Sequence, residues 1–114
     1  MHIHEYGFGR MVVDGKTYRK DLILLPEGVR EDWWRDEGHS LSKADLTDVF
    51  EAKPGVLVIG TGAHGIMGVP PAVRRAIEEV GIQAIIERTG EAVERYNALA
   101  ARGTRVAGAF HLTC

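Results

Sequence analysis

Gly60-Thr61-Gly62-Ala63-His64-Gly65 matches the glycine pattern that cradles the pyrophosphate of a dinucleotide, and it directly follows the apolar run Val56-Leu57-Val58-Ile59. In that chemistry the glycines let the backbone approach the phosphates, and the amides of the following helix point at them. Glu87, near the end of the next apolar run, stands where a ribose-binding acid would be expected. Two features argue against the dinucleotide. Ile66-Met67-Gly68-Val69 separates the loop from the next helix, and Pro70-Pro71 removes two amide donors at its start. The chain is also too short for two mononucleotide-binding halves. A smaller role survives. If the strands ending at Ile59 and Glu87 are parallel, Gly60, Thr61, Gly62 and Thr89 border one crevice on the carboxyl edge of the sheet, where a small anion could sit. The plain alternative is that the glycines permit a sharp exit from the strand and that Thr89 caps its helix.

Other reactive residues are scattered. Asp21 opens an apolar strand, an unusual place for a carboxylate. It is either an acid for chemistry or an acceptor for backbone donors or Tyr18, and a buried carboxylate must be satisfied. His64, in the glycine loop, is a general base in one reading and a solvated loop residue in the other. His2 and His4 share a strand face but have no Cys, Asp or Glu cluster beside them, so no metal site is expected. His111 and Cys114 invite a thiolate–imidazole pair. Residues three apart on a strand face opposite sides, however, and a carboxylate on Cys114 itself would raise the thiol pKa. No serine elbow, P-loop, paired-carboxylate motif or zinc spacing is present. These residues call for no cofactor.

The elements that must position these residues begin with strands. Ile3 to Phe8 and Met11 to Val13 precede Asp14-Gly15, a hairpin turn signal, with Thr17 and Tyr18 beyond it. Asp21 to Leu25 is extended and stops at Pro26. Glu27 to Leu41 is irregular and reads as a long connection with one helical turn. It holds Trp33 and Trp34, which cannot both face the same way: one packs on the core, the other covers a surface groove. Ser42 and Asp45 resemble a capping box ahead of Leu46, Val49 and Phe50. Val73, Ala76, Ile77 and Val80 make one apolar stripe on a helix opened by Pro70-Pro71, with Gly81 placed to end it. Ile82 to Glu87 is a strand. Val93, Tyr96, Leu99 and Ala100 form the buried face of the next helix, and Val106 to Phe110 is the last strand. The order predicts a single α/β domain over 1–114. It has three layers, a mixed central sheet with helices on both faces, and an added N-terminal antiparallel hairpin.

Composition agrees with one soluble domain. The 114 residues are 45% hydrophobic and 26% charged, with 14 basic and 16 acidic side chains and a net charge of -2. Nothing in this balance attracts nucleic acid or anionic lipid. No apolar run is long enough to span a bilayer, the start shows no signal pattern, and Cys114 is the one cysteine. The expected compartment is the reducing cytoplasm.

Thr17-Tyr18, Asp21, Pro26, Trp34-Arg35, His39, Leu57 to Gly62 and Val69-Pro70 carry a family resemblance. It continues through Thr89, Glu94, Tyr96-Asn97-Ala98-Leu99, Gly103, Arg105-Val106, His111 and Thr113-Cys114. The chain resembles the small Rossmann-like domain family of unknown function first described from a methanogen protein. That family includes the adipogenesis-associated domain protein of animals and, more distantly, a mitochondrial complex I assembly factor. The resemblance implies the same three-layer fold and no established activity. In the animal relative the loop keeps Gly60 and Gly62 but not Gly65 or His64, which counts against a dinucleotide. The leading expectation is a non-catalytic binding or assembly module with a protein partner or a second copy. The alternative is a small-molecule or anion-binding protein, or an enzyme, using the glycine crevice.

Overall fold

The N-terminal apolar residues alternate, so a sheet formed there buries one face. In the computed structural model, which describes residues 1–114, β1 (Ile3–Gly7), β2 (Arg10–Val13) and β3 (Lys16–Tyr18) pair antiparallel in the order β1-β2-β3. Ile3, Met11 and Val13 point inward, and Asp14-Gly15 makes the second turn. The expected hairpin is thus a three-stranded sheet of its own.

β4 (Leu22–Leu25) ends at Pro26 as expected, but the chain then returns at once as β5 (Gly28–Arg30), antiparallel to β4. Residues 27–41 therefore hold a strand and not the helical turn expected there. Three residues including a glycine show no period of 2, whereas the open side of β4 supplies hydrogen bonds that only the fold reveals. A 3₁₀ turn (Lys43–Leu46) leads into α1 (Thr47–Ala52). Within that turn the Ser42 amide donates to Asp45 Oδ2 at 2.8 Å, the reciprocal arm of the expected capping box.

The remaining elements alternate: β6 (Val56–Thr61), α2 (Pro71–Glu79), β7 (Gln83–Glu87), α3 (Thr89–Ala101) and β8 (Val106–His111). The central sheet runs β5-β4-β8-β6-β7, with β6 parallel to both β7 and β8, and β4 antiparallel to β8. The path from β6 to β7 and the path from β7 to β8 cross the sheet in opposite directions. Their helices lie on opposite faces, so both crossovers share one hand. On one face Val73 and Ile77 of α2, Val49 of α1, and Trp33 pack on Leu57 and Ile59. On the other, Ala92, Val93 and Tyr96 of α3 and the N-terminal sheet pack on Val58 and Phe110. β6 is buried along its whole length, which explains its unbroken apolar run. Val80 departs from the expected stripe: it lies just past the last turn of α2 and is 62% exposed.

Candidate functional site

The carboxyl ends of β6, β7 and β8 lie side by side, pairing Gly60 with Glu87 and with Phe110, and Thr61 with His111. Gly60, Thr61, Gly62 and Thr89 therefore meet, as parallel pairing requires. The Gly62 amide donates to Thr89 Oγ1 at 2.9 Å, and that hydroxyl donates to the His111 carbonyl at 2.6 Å. The Thr61 hydroxyl donates to the Glu87 carbonyl at 3.1 Å. Thr89 is wholly buried and does not cap α3: the N-cap is Arg88, with no side-chain bond. A threonine before an amphipathic helix gives the same local signal in both roles. Here its hydroxyl ties the ends of β6 and β8 together. Gly60 leaves the room for it, since a Cβ there would lie 2.8 Å from Thr89 Oγ1.

The loop amides are also engaged. Ala63 N donates to the Thr113 carbonyl at 2.6 Å, and His64 N and Ile66 N donate to the Cys114 carbonyl at 3.0 and 3.2 Å. The segment after β8 thus occupies the backbone donors that an anion would use, and the Met67 amide returns to the Thr61 carbonyl at 3.0 Å. α2 starts at Pro71, well beyond Gly65, so its N-terminus is not part of the loop. His64 is exposed at the loop tip, its ring 6.3 Å from that of Phe8. His2 and His4 are exposed at the start of the chain, their rings 4.8 Å apart.

Behind the loop lies an ionic cluster. Asp21 Oδ2 accepts from Arg35 Nη2 and from His111 Nδ1, both at 2.7 Å, and Asp21 Oδ1 accepts from the Leu112 amide at 2.8 Å. Burial alone would raise the Asp21 carboxyl. The bonds from His111, Leu112 and Arg35 outweigh it and hold the group below its usual value of 3.8. Arg35 also donates to the Gly38 carbonyl at 3.1 Å and stacks on Trp33, 4.7 Å from the ring centroid. His111 is 5% exposed, with Nε2 buried and unpartnered and the ring of His39 6.1 Å away. Asp21 fixes the imidazole as a pair of that kind does in proton-transfer sites. The remaining nitrogen faces the interior, and Cys114 makes no hydrogen bond to it. The Tyr6 hydroxyl donates to the Leu112 carbonyl at 2.9 Å, and burial raises its pKa. Asp21 thus bonds to a backbone amide, as its place in the strand predicts, and to Arg35 and His111 instead of Tyr18. Local sequence does not signal the pairing of Arg35 and His111 with Asp21, from which they stand 14 and 90 residues away.

A second surface is built by the tryptophans. Trp33 is buried, its Nε1 donating to the Asp45 carbonyl at 2.9 Å, whereas Trp34 is 85% exposed. Trp34 borders a concavity of about 330 Å³ with Arg30, Asp36, Ala44, Thr47 and Asp48, and Arg30 is paired with Asp48. The adjacent strand β5 is an edge of the central sheet.

Residues 3–111 match the family described as "Protein of unknown function (DUF498/DUF598)", and the chain belongs to it. Its fold recurs in the protein MT938, 28% identical with a TM-score of 0.83 over 99% of this chain and 98% of that one. A conserved hypothetical protein of Pyrococcus horikoshii OT3 is 25% identical over the whole of both chains, with a TM-score of 0.80. A Bordetella pertussis protein described as an Mth938-like domain shares the fold at 22% identity. Its TM-score is 0.70 over 97% of this chain and 85% of its own.

Proposed function

We propose that this chain is a non-catalytic binding or assembly module, and that its partner docks on the face bearing Trp34. The observation that carries this reading is the exposure of Trp34, 85%, next to a tryptophan that is anchored in the core. A large apolar ring held in water by a rigid neighbour suits a protein anchor, since aromatic side chains dominate the energetic centres of interfaces. The surroundings support it: Arg30, Asp36 and Asp48 supply a polar rim, and the outer side of β5 offers unpaired backbone groups. The carboxyl edge, by contrast, has its hydroxyls and loop amides engaged within the chain. The β6–α2–β7–α3–β8 unit supports a Rossmann-like reading of the topology, and the free thiol of Cys114 is compatible with a reducing cytoplasm.

Photo-crosslinking tests the docking face. A benzophenone side chain placed at position 34, in cells of the source organism, is expected to give one discrete adduct, either with another protein or with a second copy. The same group at position 64 is expected to give none. Adducts from position 64 and not from 34 would place the binding surface at the glycine loop instead.

A further inference from the structure

Two concavities adjoin on the face of α1 and share Phe50 and Lys53. The wider one, about 740 Å³, runs from Lys43 and Ala44 over Phe50 to Lys53. The narrower one, about 340 Å³, continues between Pro54, Val80, Gly81 and Ile82. The narrower one falls at the low end of the range of small-molecule sites, about 300–1,000 Å³, and the wider one is its shallow, open extension. We propose that this groove binds an anionic amphiphile: an acyl chain carrying a carboxylate, with its tail between Pro54 and Val80 and its head at the lysines.

The lining supports the polarity of that occupant. The narrower end sets Phe50, Pro54, Val80 and Ile82 beside Lys53, with Ile82 as a buried floor and Val80 as a wall 62% exposed to water. Such a wall gains by being covered. The open end carries two ammonium groups against one carboxylate, that of Glu51. Neither Lys43 nor Lys53 is engaged in an ion pair, although eight other pairs form across the molecule. Lys43 Nζ sits 5.9 Å from the Phe50 ring centroid, above the floor of the groove. Lys53 has a left-handed backbone (φ 49), a conformation that costs energy in a residue other than glycine. Arg105 fixes it there, donating to the Ala52 carbonyl at 2.6 Å and to the Lys53 carbonyl at 3.3 Å. Arg105 thus satisfies the Ala52 and Lys53 carbonyls at the end of α1, and the Lys53 ammonium itself makes no ion pair. The groove adjoins the Trp34 concavity at Ala44 and Thr47 but is argued from its own lining, independently of the docking reading.

The test is a fluorescence titration of the whole chain with dansyl-undecanoic acid, below its micellar concentration, followed by displacement with laurate, dodecanol and dodecylamine. Saturable one-to-one binding is expected, with laurate displacing better than dodecanol and dodecylamine worst. Lys43→Gln and Lys53→Asn are each expected to weaken the acids by about two- to fivefold while leaving dodecanol unchanged, the size of an exposed ion pair. Asparagine is chosen at position 53 because it tolerates the left-handed backbone. Val80→Glu, at an exposed site, is expected to abolish binding of acid and alcohol alike with no change in thermal unfolding. An absence of saturable binding to the wild type would overturn the proposal. So would equal displacement by the amine, undiminished acid binding in the lysine double variant, or displacement by an acidic peptide but not by laurate.

Discussion

Gly62→Ala is expected to destabilise the protein by about 3–4 kcal/mol, among the largest effects of any single substitution here. Two costs combine. Gly62 has φ 106, a backbone that residues with a Cβ rarely adopt. A Cβ there would also lie 2.7 Å from the Cys114 carbonyl oxygen and 2.9 Å from His111 Cδ2. Those contacts are backbone and a packed ring, so neither can swing away. The displaced segment would release the loop amides of Ala63, His64 and Ile66 together. For a domain of this size, with a total stability of about 5–15 kcal/mol, the melting temperature should fall by about 10–20 °C. Urea denaturation of the two proteins measures the difference. A loss below about 1 kcal/mol would mean that the segment after β8 is only loosely held against the loop.

Asp21→Ala is expected to cost about 3–5 kcal/mol, because it strands Arg35 and His111 in the interior and leaves the Leu112 amide unbonded. Asp21→Asn keeps an oxygen for Leu112 but removes the charge, so its stability should lie between those of the wild type and Asp21→Ala. The pH dependence follows from the depressed carboxyl. Its folded value lies below the usual 3.8, so the unfolded chain takes up the proton first as pH falls. The contribution of Asp21 is therefore complete above its unfolded value and is lost as the pH drops through the folded one. The stability gap between wild type and Asp21→Asn should stay level from neutrality to about pH 5 and close below the usual carboxylate value. A gap that does not change down to about pH 2 would show that the Asp21 charge contributes nothing to the cluster.

The elements that carry strong local signals were legible in the sequence. β6 shows as an unbroken apolar run, α2 as a stripe opened by prolines, and β4 as a run stopped by Pro26. The prolines also placed the start of α2 far from the glycine loop. β5 was not legible, because three residues paired to one neighbour leave no periodic trace. The candidate site was legible only in part. Parallel pairing brought Gly60, Thr61, Gly62 and Thr89 together, but the acceptors of the Thr89 hydroxyl and of the loop amides lie at the end of β8 and in the segment after it, 22 residues beyond Thr89 at His111. The same holds for Asp21: its burial was readable from its apolar neighbours, its partners Arg35 and His111 were not. Trp33 and Trp34 divided as adjacent residues of an extended segment must, one inward and one outward.

The exposed Trp34 marks the binding face only if the rival site, the glycine loop, is already braced by the chain itself. A phosphate titration followed by heteronuclear NMR tests that point most directly. The amides of Gly62, Ala63, His64 and Ile66 each already donate to Thr89 or to the segment after β8. They are expected to show no saturable shift on adding inorganic phosphate, and to exchange with solvent as slowly as the amides of β6. A saturable shift confined to these four amides, and abolished by Thr61→Val, would contradict the assignment and make the loop an anion site.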